Sequence, residues 1–135
     1  MLKDDSNFLG CFASNNLPQK VKRSVFSLII NSDEKKSRGE HWLALQVEKE
    51  QAFYFDSFGC PILEESIKNW LGKKTIYWSK KCIQSIQSNM CGLFSICFIK
   101  TVCDYKSFET FLECFDEHKL DNNDQIVSFV IKYLI

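Results

Sequence analysis

His41, Leu43, Leu45 and Val47 recur at every second position, and a second β-rich run, Ala52 to Phe58, follows across the polar tip Glu48-Lys49-Glu50-Gln51. A period of two places such residues on one face of a strand, so the segment predicts a hairpin. Val25 to Ile30 is a continuously apolar run that reads as a buried strand, and Thr75 to Trp78 reads as another. Residues 1 to 24 are polar and irregular, with a turn at Asn15-Asn16-Leu17-Pro18, and Asn31 to Gly39 forms a charged loop. Elsewhere the spacing turns helical. Ile67, Trp70 and Leu71 share a face that Gly72 terminates. Cys91 to about Val102 is apolar almost all round, the mark of a helix enclosed by the core. Phe108, Phe111, Leu112 and Phe115 fall at i, i+3, i+4 and i+7, and a final helix from about Asn123 should bury Ile126, Val127, Val130 and Leu134. The predicted class is α+β, a small, largely antiparallel sheet packed with helices, in a single domain spanning residues 1–135.

Composition narrows the function. Hydrophobic residues make up 45% and twelve residues are Phe, enough for a packed core. Seventeen basic residues balance seventeen acidic ones, so no global field favours nucleic acid. The longest apolar run, Met90 to Ile99, is too short to span a bilayer, and the start shows no charged segment leading into an apolar one. With an odd count of seven cysteines, the expectation is an intracellular protein, reducing in setting, with mostly buried thiols and no membrane contact. No C-x2-C pair occurs and there are only two histidines, so no metal site is expected.

Candidate chemistry gathers in four places. If the hairpin tip closes symmetrically, paired residues sum to 99, which sets Leu43 opposite Asp56 and His41 opposite Phe58. His41 and Asp56 then become diagonal neighbours on one face, roughly 7–8 Å apart at Cα. An Asp there holds an imidazole in one tautomer and stabilises its cation, whereas a slip of one residue would put the two on opposite faces. Cys91 follows Ser88 and Asn89, both good N-cap residues, and so falls in the first helical turn, where free N–H groups and the macrodipole favour a thiolate. Gly92 leaves space beside its sulfur for a substrate backbone. Cys97 and Cys103, deeper in the same predicted helix, read as structural. Gln84 and Gln87 precede the cysteine, and either could offer a side-chain N–H to a developing oxyanion.

Gly39-Glu40-His41-Trp42, Phe55-Asp56-Ser57-Phe58-Gly59, Gln84-Ser85 and Cys91-Gly92-Leu93-Phe94, in that order, resemble the adenovirus-type (adenain-like) cysteine endopeptidases, which share a fold with the ubiquitin-like-protein proteases. Phe8-Leu9-Gly10 resembles that family's N-terminal segment. The resemblance implies Cys91 as nucleophile at the start of a buried central helix, His41 as general base, Asp56 as orienting acid and Gln84 as oxyanion donor. Gln87 is the alternative donor if the loop carries a deletion. It further implies a monomeric protease of viral or virus-derived mobile-element origin that processes virion precursor polypeptides at Gly-containing sites. Trp42 would help to wall the groove, and the expected location is the host nucleus or cytoplasm and the virion. The chemistry requires no cofactor. An activating peptide or DNA belongs to the family, but the neutral charge and the lack of a convincing peptide-pairing cysteine count against both here. A ubiquitin- or SUMO-like deconjugase on the same fold, or a non-catalytic binding module, are the competing readings.

Overall fold

A computed structural model describes residues 2, 5–32 and 41–135, so most of the charged loop and the Gly39-Glu40 part of the histidine segment lie outside the described residues. Five strands form one sheet in chain order: β1 (Phe8–Ala13), β2 (Val25–Ser32), β3 (His41–Glu48), β4 (Gln51–Phe55) and β5 (Thr75–Trp78). The hairpin adopts the predicted register. Ala44 faces Phe55, Leu45 faces Tyr54 and Glu48 faces Gln51, every pair summing to 99. Strand β4 is shorter than its apolar run suggests and ends at Phe55, before Asp56.

The antiparallel expectation describes β2, β3 and β4. Both edges differ: β1 pairs with β2 in parallel and β5 pairs with β4 in parallel, so the sheet is mixed. Strand β1 also falls where an irregular segment was expected. Its register shifts between Phe8 and Cys11, and Gly10 within that shift has φ 134°, so no clean alternation marks it. It becomes a strand because the β2 edge supplies hydrogen-bonding partners.

Alternation sorts side chains to two faces. Leu43, Leu45 and Val47 join Leu28, Ile30, Ala52 and Tyr54 on one face, covered by α1 (Glu65–Leu71) through Ile67 and Leu71. The indole of Trp70 finishes this side with an N–H bond to the Pro18 carbonyl at 2.8 Å. On the other face, Ile29, Ala44, Phe53 and Phe55 meet α2 (Cys91–Thr101), α3 (Tyr105–Glu113) and α4 (Leu120–Tyr133). Phenylalanines fill this side: Phe55 stacks on Phe98 at 5.1 Å and meets Phe111 edge-on at 5.2 Å.

Three helical expectations need correction. Helix α2 stops at Thr101 because Val102 turns extended, and Asp104 then caps α3 in a capping box with Ser107. Cys103 therefore lies exposed in the turn rather than buried in the helix. Of the seven thiols only Cys91 and Cys97 are buried, so the picture of mostly buried cysteines is wrong. Helix α4 begins at Leu120 and docks through Asn123 and Val127, which leaves Ile126 and Leu134 exposed. Its stripe starts a turn earlier than the apolar residues imply, because a buried asparagine takes the first contact. No helix among the described residues is long and apolar enough to cross a membrane.

Candidate active site

Strand β3 begins at His41, and β4 hands over to Asp56 at the same end of the sheet. With the register at 99, both side chains project to the same face. The imidazole Nε2–H donates to Asp56 Oδ1 at 2.8 Å, and a carboxylate can only accept, which fixes that proton. The same Oδ1 accepts the Phe58 backbone N–H at 2.8 Å, and the Phe58 ring lies against the imidazole at 4.8 Å. The Asp56 side chain is 6% exposed and that of His41 is 21%, so the pair is shielded yet reachable.

The turn that carries Asp56 requires Gly59. Its N–H closes onto the Asp56 carbonyl at 2.8 Å with φ 76°, and a Cβ there would sit 2.5 Å from the Lys80 carbonyl oxygen. No other residue fits both the left-handed backbone and that approach. The Phe-Gly pair after the acid thus has a local mechanical cause.

Cys91 reaches the imidazole from the helix-covered face, as the first residue of α2. The N-cap is Met90 rather than Ser88 or Asn89, and no side chain caps the helix. Burial alone would push the thiol up from its usual value. The hydrogen bond with His41, the Trp42 backbone N–H, the imidazolium charge and the Gly92 N–H outweigh it and hold the thiol below 9.0. For His41, burial opposes the cation, but the bonds and charges of Asp56 and Cys91 raise it from 6.5 to about 9. The two shifts are mutual, each group favouring the charged form of the other.

Gln84 is 1% exposed in the strap leading into α2. Its Nε2 donates to the Ser88 carbonyl at 2.9 Å, and its Oε1 accepts from the Ser57 hydroxyl. Gln87 is exposed on the loop. Sequence reasoning missed Ser57, Phe58 and Asn123. Asn123, fully buried on α4, donates to the Ile83 carbonyl at 3.0 Å and so anchors the strap that carries Gln84. Only an unusual polar residue on an apolar helix stripe could have signalled it.

Trp42 supplies its N–H to the sulfur, and its ring approaches Gly92. A Cβ at Gly92 would meet Trp42 Cδ1 at 3.6 Å, an ordinary contact. The indole thus borders the space anticipated beside Gly92 without closing it. A cavity of about 220 Å³ opens beside the His41–Asp56 pair, lined also by Tyr54, Phe58, Pro61 and Leu63. A roomier apolar cavity of about 440 Å³ between α2, α3 and α4 contains Cys97 and none of the four candidate residues. No group of three or more His, Cys, Asp or Glu among the described residues is arranged to hold a metal ion.

The arrangement bears comparison with known proteins. The solved structure described as Se-Met ASFV pS273R protease superposes with a TM-score of 0.60 at 21% identity, over 78% of this chain and 42% of that one. The fold is that of the adenain-like and ubiquitin-like-protein cysteine proteases. No protein-family model matches the chain, and no curated protein matches it by sequence. The chain thus spans only about half the length of the protease it superposes on. At this identity the likeness carries the fold, and the chemistry must be argued from the residues themselves.

Proposed function

We propose that this chain is a cysteine endopeptidase, with Cys91 as nucleophile, His41 as acid–base, Asp56 as orienting carboxylate and Gln84 as oxyanion donor. The observation that carries the reading is a single imidazole that bonds Asp56 at 2.8 Å and also bonds a thiol of lowered pKa. The thiolate attacks the scissile carbonyl carbon, a C–S bond forms, and the carbonyl electron pair moves onto oxygen. The tetrahedral species collapses, the His41 cation gives its proton to the leaving amine, and an acyl-enzyme remains. His41 then takes a proton from water, whose oxygen displaces Cys91 and releases the acid. These steps call on no group beyond the named side chains.

The substrate is a polypeptide cleaved at Gly-containing sites, in keeping with the indole that lies beside Gly92 next to the nucleophile. Processing of virion precursors fits the family resemblance and the viral protease of like fold. The test is a Gly-Gly peptide bearing a C-terminal vinyl sulfone, to which the thiolate adds as a stable thioether, with the adduct located by mass spectrometry. Labelling at Cys91 that is lost in Cys91→Ser is expected, together with cleavage of a Gly-Gly polypeptide. Faster labelling of Cys60 or Cys82 overturns the assignment. A folded ubiquitin-like protein carrying the same electrophile, if it reacts far faster than the free peptide, reassigns the chain as a deconjugase.

A further inference from the structure

We propose that Ser57 is the positioning residue for Gln84, so that one turn, Asp56–Gly59, sets both the base and the oxyanion donor; this rests on the protease reading above. Ser57 is 1% exposed and grips Gln84 through backbone and side chain alike. Its carbonyl accepts the Ile83 N–H at 2.9 Å and the Gln84 N–H at 3.2 Å, and its hydroxyl donates to Gln84 Oε1. The amide has one orientation in this setting. The Ser88 carbonyl oxygen can only accept, so the atom facing it at 2.9 Å must be Nε2. Oε1 then faces Ser57, the hydroxyl that can donate to it. One Nε2 hydrogen is committed to Ser88, and the second is left for an oxyanion.

The residues on either side of Ser57 work on the imidazole: Asp56 bonds Nε2 and Phe58 lies against the ring. Three consecutive residues thereby fix the relative placement of groups that come from β3 and from the strap before α2. Without the Ser57 hydroxyl the amide is held at one end only, and its free N–H loses its aim. A preorganised donor acts because it need not reorient during reaction, so loosened aim costs rate rather than substrate affinity.

The test uses the full chain with a Gly-Gly peptide substrate, the corresponding Gly-Gly aldehyde and a small haloacetamide. Cys91 adds to the aldehyde carbonyl, the carbon–oxygen π pair moves to oxygen and is protonated, and the hemithioacetal reports the oxyanion site. Ser57→Ala should lower kcat about 10- to 100-fold at unchanged KM, short of the roughly 10²–10³ for losing a donor. Aldehyde affinity should weaken by a similar factor while haloacetamide alkylation of Cys91 stays at the wild-type rate. In a Gln84→Ala background, Ser57→Ala should add nothing, since it acts through that amide. Ser57→Cys, close in size and only a weak donor, should fold and also lose kcat. Wild-type kcat in both variants, additive losses in the double variant, or alkylation falling in step with kcat would each overturn the role. Wild-type chain with no Cys91-dependent turnover would sink the protease reading and this inference with it. Turnover that is indifferent to Ser57 sinks the inference alone.

Discussion

Helix α2 carries two buried thiols, six residues apart, whose pKa values shift in opposite directions. Cys91 opens the helix, touches His41 and backbone N–H groups, and its pKa is lowered. Cys97 lies among Phe94, Phe98 and Val102, and burial alone pushes its thiol up to about 11. Both are shielded from solvent, at 7% and 3% exposure, so burial does not separate them. What separates them is the supply of donors and one cation. A helix interior spends its N–H groups on its own carbonyls, whereas the first turn has them to spare. The acidity of a thiol on this helix is therefore set by whether it sits at the helix end, where the strand meets it.

The sharpest way to break the comparison is to exchange each sulfur for oxygen. Cys91→Ser should drive peptide turnover to the assay floor, a loss on the order of 10⁴-fold or more, with thermal stability retained. Cys97→Ser should keep turnover and lower stability by about 1–3 kcal/mol, because a hydroxyl replaces an inert thiol in an apolar pocket. Turnover that survives the first exchange or dies with the second would mean that the wrong end of the helix has been assigned.

Next in size is the oxyanion donor. Gln84→Ala should cut kcat by about 10²–10³ and leave KM and simple alkylation nearly unchanged, since alkylation develops no oxyanion. Gln87→Ala, on an exposed loop residue, should change neither. The reverse pattern in steady-state kinetics would move the donor to Gln87.

The pH dependence of alkylation isolates the cation. With His41 raised to about 9, imidazolium persists through neutral pH, so the wild-type rate at Cys91 should reach its plateau at a lower pH than that of an unpaired thiol. His41→Ala removes the bond and charge that lower the thiol, so the rate at pH 7 should fall by up to about 100-fold and climb toward pH 9. Alkylation of Cys97 should be slow in both proteins. Asp56→Asn should act more mildly on the same profile. The imidazole loses its anionic partner, so imidazolium should give way at a pH below about 9, toward 6.5, and the less supported thiolate should need a higher pH to form. The sign for stability follows from the same shift: the contribution of the His41–Asp56 pair is fully present below 6.5 and is lost as pH rises through about 9. A profile in Asp56→Asn that matches wild type would show that Cys91 alone sustains the cation.

The smallest effect should come from His118. It lies in the turn before α4, with its N–H on Asp116 Oδ1 at 2.8 Å and its side chain 85% exposed. His118→Gln should leave kcat/KM within twofold of wild type. A larger loss without unfolding would contradict the placement of the base on the hairpin.

Much of this was legible beforehand because it rests on neighbours in the chain. Alternation along His41 to Val47, with a short polar tip, leaves one register in which the apolar set stays buried, and that register brings Asp56 to His41. The start of α2 was readable in the same way, since a polar loop gives way there to an apolar helix. Whether a strand finds an edge is not a local matter. Phe8 to Ala13 pairs in parallel with β2, and no pattern within six residues foretells that partner. Cys103 and Leu134 were misjudged for a related reason, because composition reports what a residue prefers and not where a helix stops or how it tilts.

The sequence by itself determined the parts: a hairpin in fixed register, a cysteine at a helix start, and a glutamine seven positions before it. Tertiary structure decided their meeting. His41 and Cys91 stand fifty residues apart on opposite sides of a sheet, and only packing of α2 across β3 brings sulfur to imidazole. The contrast between two glutamines likewise arises only in three dimensions, where Ser57 and Ser88 bind one amide in the core while the other residue stays exposed. Short-range pattern governs which conformations a segment can adopt. Which segments touch depends on the apolar surface that all of them must bury together.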